Sequence, residues 1–347
     1  MSVVTYADRF NLHEEKDPQS WKYYIQQLAQ RWDPEETILS EDKNEFNGLN
    51  PRYKLLVKDI VAFFAPGDGL VCEQVLRLML GTDVFAQRAF MGEQFSIEVA
   101  HARAYKDIVM TFFEGEEREE IFNMVDTLPC VTEKAEFVSN YMENDKLPWS
   151  LRCVAAAVSE GVFFVSLFAI IFYLKEKKLL PRFCFINEQV AKDEKLHRDF
   201  YLLMAKRGFL KGDFTASQVL EIVRKGVAIE MTHIRYILRE PIDSPEIDAI
   251  GGLTTENMDR FIATLGDQIV TSIGINRCFT YEENEELISG QADPILLREF
   301  EPNWMKGLSM ARKTNFYESI VGNYTMISKQ KKVSLDVVFD NLETLDI

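Results

Sequence analysis

The sequence predicts an all-α protein, on three observations. Apolar residues recur at helical spacing almost throughout the 347 residues, alternating strand-like runs are scarce, and the breaks between periodic stretches carry helix-stop chemistry. Taken in order, a helix over Pro18 to Arg31 opens the series. Pro51 to Phe64 and Val71 to Leu80 are separated by Pro66, Gly67 and Gly69, and the second stops at Gly81-Thr82-Asp83. Val84 to Phe113 follows that break, then Glu116 to Leu128 and Thr132 to Asn144, which ends at Asn144-Asp145. Leu151 to Lys177 is the most apolar stretch, and Leu180-Pro181 divides it from Pro181 to Gly208. Gly212-Asp213 precedes Thr215 to Arg239, and Gly251-Gly252 precedes Thr254 to Leu265, Gln268 to Ile275 and Glu283 to Ser289. No Pro/Ser-rich linker or repeat divides the chain. One domain over residues 1–327 is therefore expected, with an N-terminal arm to about residue 20 and a flexible tail over residues 328–347.

Composition narrows the function. With 47% hydrophobic residues the protein can build a large core, and 39 Lys+Arg against 55 Asp+Glu leave a formal charge of −16. A chain of that sign repels phosphate, and its only basic runs are Lys175 to Lys178 and Lys329 to Lys332, so nucleic acid is not an expected partner. The five cysteines Cys72, Cys130, Cys153, Cys184 and Cys278 form no C-x-x-C pair and read as buried thiols of a reducing, cytoplasmic compartment. Residues 1–10 lack the basic-then-apolar order of a signal peptide. Leu151 to Leu174 has the length of a membrane span, with only Arg152 and Glu160 charged. An acid at its middle is costly in lipid, so a helix buried on all sides is expected instead, in which Glu160 has a partner.

The chemistry lies in the histidines. Three of four sit in the pattern E-x-x-H: Glu98-His101, Glu194-His197 and Glu230-His233. At i and i+3 both side chains share one helix face and reach the same ion. Bundles holding two metal ions use two such pairs plus a lone carboxylate from each of two other helices. Glu160, in the most apolar helix, is one lone acid, and Asp68 the other, although among Pro and Gly it reads equally as a turn residue. Order favours the site: Asp68 precedes Glu98 by 30 residues and Glu160 precedes Glu194 by 34, each interval suiting a helical hairpin. No buried-looking lone acid precedes Glu230-His233, which is expected at the surface or edge of an amphipathic helix. Four carboxylates balance two divalent ions, and an oxygen-rich set with one nitrogen per ion suits iron or manganese better than zinc. Tyr105 follows His101 by one helical turn, on the same face, where a phenol beside an oxidising metal pair could lose an electron and a proton.

These residues, together with Trp32-Asp33-Pro34-Glu35-Glu36, Phe63-Phe64-Ala65, Glu160-Gly161-x-Phe163-Phe164, Lys192-Asp193-Glu194 and Ala311-Arg312-Lys313-Thr314-Asn315-Phe316 with Val321-Gly322-Asn323-Tyr324, resemble the small, radical-generating subunit of class I ribonucleotide reductase. The resemblance implies a ferritin-like bundle with a dinuclear metal site in its core, and a homodimer. It implies that Asp68, Glu98, His101, Glu160, Glu194 and His197 bind two iron ions, or manganese or a mixed pair, and that dioxygen is reduced there with oxidation of Tyr105 to a stable radical. Phe164, Phe168 and Val190 take the positions of the apolar pocket around that radical. Radical equivalents would pass through His101, Asp193, Trp32 and Tyr324 to the large catalytic subunit, on which the tail docks with Leu345, Asp346 and Ile347. The sequence departs from the family at Pro66-Gly67, where a proline inside a helix removes a hydrogen bond and kinks it, and in its ending Thr344-Leu345-Asp346-Ile347. A ferritin-like oxidase or desaturase acting on a small organic substrate is the alternative use of the same ligands.

Overall fold

The computed structural model describes residues 16–239, 253–281, 297–298 and 300–305. Its helices are α1 Pro18–Ala29, α2 Lys43–Gly48, α3 Pro51–Leu80, α4 Phe85–Phe112, α5 Glu116–Thr127, α6 Pro129–Tyr141, α7 Trp149–Val158, α8 Phe164–Glu176, α9 Pro181–Lys211, α10 Ala216–Ile237 and α11 Thr255–Ile273. Two-residue strands, β1 Thr280–Tyr281 and β2 Leu297–Arg298, pair in parallel after the last helix. The expected all-α architecture holds among the described residues.

Caps explain several boundaries. Asp17 accepts from Ser20 N at α1, where Pro18 needs no donor partner, and its carboxylate also takes Arg207 Nη1 at 2.6 Å and Gln87 Nε2 at 3.0 Å. One N-cap thereby ties α1 to α4 and α9. The start of α9 is capped from a distance: Asp42 Oδ2 accepts the N–H groups of Arg182 and Phe183, both at 2.9 Å. Thr215 and Gln218 form a capping box on α10. Beyond α11, Gly274 supplies the left-handed turn (φ 108°), and the Asp267 carboxylate accepts from Cys278 N, Phe279 N and Thr280 N to hold the returning chain.

Two expected breaks are absent. The helix expected to end at Phe64 continues through Pro66 to Leu80 as α3, and the two segments expected on either side of Gly266 are one helix, α11. Tertiary packing overrides local propensity in both cases: Phe63 and Phe64 of α3 are buried, and a Cβ on Gly266 would press on Val227 and Phe279. The segment expected as a helix over Glu283 to Ser289 and the tail from Ser328 lie outside the described residues.

The α3–α4 hairpin and the α7–α8 and α9 pair supply the centre of the bundle. Trp149–Glu176 is long and apolar enough to cross a membrane, but 94% of its most apolar window is buried inside the protein, as expected for a core helix. Between α7 and α8 the turn Ser159–Phe163 is wider than an α-turn, with Phe164 N–H donating to Ser159 O five residues back. Close helix approach fixes this region. A Cβ on Gly226 of α10 would overlap Val158 Cγ1, one residue before the widened turn. We expect Gly226→Ala to destabilise the fold by about 1–3 kcal/mol through overpacking, read as a lower urea midpoint at unchanged slope. An unchanged midpoint would show that α10 is free to move outward.

Candidate metal centre

Each E-x-x-H pair stands on one long helix, Glu98-His101 on α4 and Glu194-His197 on α9, and Glu160 projects from the widened turn. All five are at most 1% exposed. Glu98, Glu160, Glu194 and His197 each offer a ligand atom within 4.8 Å of one another. His101 joins them, its Nδ1 lying 3.2 Å from Glu98 Oε2 and 3.1 Å from Glu194 Oε1. Likewise His197 Nδ1 lies 2.9 Å from Glu194 Oε2 and 3.1 Å from Glu98 Oε1. Asp68 falls on α3, and its side chain is outside the described residues. The widening at Glu160 requires a small neighbour, since a Cβ on Gly161 would run into Arg198 Cγ and Ile269 Cδ1.

The donor set fits divalent cations. Glu160 Oε2 is buried with no hydrogen-bond partner among the described residues, which is costly unless a cation takes it. Burial raises the pKa of Glu160 well above the carboxylate range, and the charges of Glu194 and Glu98 add to it. For Glu194 burial acts in the same sense, but hydrogen bonds from His101 and His197 outweigh it and hold the group well below its ordinary value. Burial opposes the charged form of His197, yet Glu98 and Glu194 push it up to about 9. In the protein alone, protons on the imidazoles offset the carboxylates. Metal ions would replace those protons at Nδ1 and release them.

Both imidazoles are held from behind. His101 Nε2 lies 3.1 Å from Asp193 Oδ2, and the same oxygen accepts from Trp32 Nε1 at 2.8 Å. The Trp32 ring stacks near the His101 ring at 6.1 Å. His197 Nε2 lies 2.8 Å from Gln27 Nε2, and Gln27 Oε1 is buried without a partner among the described residues. Turned over, that amide presents the acceptor that an Nδ1-ligated imidazole needs at Nε2. Gln94 Nε2 donates at 3.1 Å to both Glu98 and Glu160, and Gln94 Oε1 accepts from Tyr201 OH at 2.7 Å. Burial and the nearby Glu160 push the Tyr201 phenol well above its usual pKa.

Tyr105 is fully buried, and its hydroxyl donates to Asn187 Oδ1 at 2.7 Å. Phe64 stacks on its ring at 4.6 Å, nearly parallel, and packs in turn on Phe164 at 5.5 Å and Phe168 at 5.3 Å. Val190 is buried too. Sequence reasoning missed Gln27, Gln94, Asn187 and Tyr201. Helical spacing could have found Gln94, four residues before Glu98, and Tyr201, four after His197. Tyr324 lies outside the described residues.

The family model described as "Ribonucleotide reductase, small chain" matches residues 9–286. A ribonucleoside-diphosphate reductase small chain of Arabidopsis thaliana is 32% identical over 337 residues, covering 96% of this protein and 93% of the relative. The chain belongs to the ribonucleotide reductase small-chain family. Among solved structures, the dimanganese(II) NrdF of Streptococcus sanguinis superposes with a TM-score of 0.69 at 19% identity, covering 78% of this protein and 93% of that one. The Rnr4 homodimer of Saccharomyces cerevisiae superposes at 0.66 and 22%, covering 88% and 91%. The ribonucleotide reductase small-chain fold, ferritin-like and helical, is thus the fold of this protein, a subunit of an oxidoreductase.

One expectation for this small subunit is corrected. Glu230-His233, expected at a surface or edge, is fully buried. Glu230 Oε2 lies 2.5 Å from Lys134 Nζ, and Ser166 donates to Glu230 Oε1. Lys134 sits 3.9 Å over the Phe63 ring, and His233 packs 5.5 Å from the same ring. Neither ring nitrogen of His233 has a hydrogen-bond partner among the described residues. Burial and the Lys134 charge lower its pKa well below the ordinary value, so it is neutral. Glu230 and His233 lie on the helix's apolar face, in line with Val219, Val223, Gly226, Ile234 and Ile237, and Lys134, from α6, supplies the counter-charge that no spacing rule reveals. We expect Lys134→Met to cost about 3–5 kcal/mol, because it strands a buried carboxylate, and Lys134→Met with Glu230→Leu to recover much of the loss. A double-variant loss equal to the sum of the Lys134→Met and Glu230→Leu losses, measured by urea unfolding, would show that the pair is not coupled.

Proposed function

We propose that this ribonucleotide reductase small subunit forms a stable radical at Tyr105 and passes its oxidising equivalent to a large catalytic subunit that reduces ribonucleotides to deoxyribonucleotides. Asp68, Glu98, His101, Glu160, Glu194 and His197 would hold two iron ions, or manganese or a mixed pair. When bound, the metals supply the capacity to reduce dioxygen and so to oxidise the nearby phenol. Glu98 and Glu194 each stand close to both histidines and would hold the ions together with them. Asn187 orients the Tyr105 hydroxyl by accepting its hydrogen bond, while Phe64, Phe164, Phe168 and Val190 keep the ring dry, which slows quenching.

The observation that carries this reading is the hydrogen-bonded line from His101 through Asp193 to Trp32. An oxidase or desaturase working on a bound organic substrate has no use for a route leading away from its metals. In the proposed role, Asp193 fixes the His101 tautomer and accepts from the indole N–H, which joins Trp32 to the centre. Tyr324 would continue the route and residues 328–347 would dock on the large subunit, the remainder forming one domain. A cytoplasmic homodimer is proposed as the working form, in keeping with the homodimer of the yeast relative.

Loading the full-length protein with Fe(II) or Mn(II) and admitting oxygen is expected to give a long-lived tyrosyl signal in electron paramagnetic resonance. Tyr105→Phe should retain its metals and lose that stable signal; no stable signal in the parent under either metal, or its persistence in the variant, would overturn the role of Tyr105. Trp32→Phe is expected to keep the Tyr105 radical yet lose nucleotide reduction in the presence of the large subunit. Undiminished turnover would remove Trp32 from the route.

A further inference from the structure

The two ligand pairs share more than E-x-x-H. Glu98-x-x-His101-x-x-x-Tyr105 is repeated as Glu194-x-x-His197-x-x-x-Tyr201, so each helix carries a tyrosine one turn beyond its histidine on the same face. Tyr201 is fully buried. Its hydroxyl donates at 2.7 Å to Gln94 Oε1, and the nitrogen of that amide donates at 3.1 Å to Glu98 and to Glu160. Two hydrogen bonds in series, through the Gln94 amide, therefore join this phenol to each of two carboxylates of the centre. Its ring meets Phe200 edge-on at 5.5 Å.

We propose that Tyr201 is a second redox-active phenol, giving up one electron and its hydroxyl proton in the same reduction of dioxygen that oxidises Tyr105. The inference rests on the radical-generating reading above. Reduction of dioxygen to two waters consumes four electrons and four protons. Two of the electrons would come from the divalent metals when bound, and Tyr105 supplies the third. Tyr201 supplies the fourth: its O–H bond breaks, the electron and the proton enter water, and a neutral phenoxyl is left. The tyrosines contribute two of the protons and solvent the other two.

The two radicals differ in lifetime because their surroundings differ. Tyr105 is stacked under Phe64 with Phe164 and Phe168 behind, and a dry apolar pocket withholds proton and reductant. Tyr201 hangs on a polar amide between carboxylates, a path by which a proton returns once a solution thiol or excess ferrous ion supplies the electron. The Tyr201 radical is therefore transient and the Tyr105 radical persistent.

The test is freeze-quench electron paramagnetic resonance on the full-length protein, loaded with Fe(II) and mixed with oxygenated buffer, in protein grown with ordinary or ring-deuterated tyrosine. The expected result is a short-lived signal in Tyr105→Phe that narrows on deuteration, decays while the parent signal persists, and is lost in Tyr105→Phe with Tyr201→Phe. Iron content of the double variant should match that of Tyr105→Phe, while its thermal midpoint should fall by roughly a few degrees, since the ring is kept but Gln94 Oε1 loses its buried hydrogen bond. Absence of any tyrosyl signal in Tyr105→Phe while the parent forms its stable radical overturns the role of Tyr201 and leaves that of Tyr105 standing. Survival of the transient in the double variant overturns it as well. A parent protein that forms no radical overturns both.

Discussion

Three carboxylates and two imidazoles meet in a core that water does not reach, and the rest of the structure is arranged around that cost. Each buried ion is penalised by several kcal/mol even after relaxation, and is tolerated only where opposite charge and hydrogen bonds meet it. The solution here is geometric. Long helices α4 and α9 each bring a Glu-His pair to one face, and the widened turn at Ser159–Phe163 brings Glu160 in from a helix that is otherwise almost wholly apolar. Gly161 lets Arg198 and Ile269 close over that turn. Protons on the histidines offset the charge in the protein alone, and divalent cations can do so more completely, because they also satisfy the orphaned oxygen of Glu160.

A second layer makes the first one rigid. Asp193 holds His101, Gln27 adjoins His197, and Gln94 spans Glu98 and Glu160. Side chains that are hydrogen-bonded at both ends lose the freedom to relax away from a ligand position. The same layer connects the centre outward. Asp193 accepts from Trp32, which lies between the helical end of α1 and the short turn at Pro34–Glu36, so a near-surface segment is bonded directly to a residue beside the ligands. The N-cap at Asp17 anchors α1 to α4 and α9 through Gln87 and Arg207, and thereby steadies the helix that carries Gln27.

Much of this was legible in sequence because helices repeat at a fixed period. The spacing of Glu98 with His101 and of Glu194 with His197 states that each pair shares a face, and the isolation of Glu160 in an apolar run states that it needs a partner. What the period does not encode is which helix lies opposite. Asn187 beside Tyr105, and Phe64 stacked on it, are contacts between elements far apart in the chain, and neither residue type announces a role. The break expected at Pro66 failed for a related reason: a helix packed along its length against α4 keeps its path despite one missing donor. The place of Asp68 on that helix follows from the backbone.

Glu230-His233 shows where the period misleads. It has the same spacing as the other two pairs and is buried as deeply, yet its surroundings settle its charge in a different way. Lys134 stands against Glu230, Ser166 donates to the second oxygen, and His233 remains neutral with Phe63 against its ring. A resident ammonium group supplies the positive charge and repels a divalent ion from the same carboxylate. Around Glu98, Glu160 and Glu194 no lysine or arginine pairs with a carboxylate oxygen among the described residues. The distinction between a pair that seals a core and a pair that can hold a metal is therefore whether the protein itself provides the counter-charge, and that depends on a residue from another helix, nearly a hundred positions away.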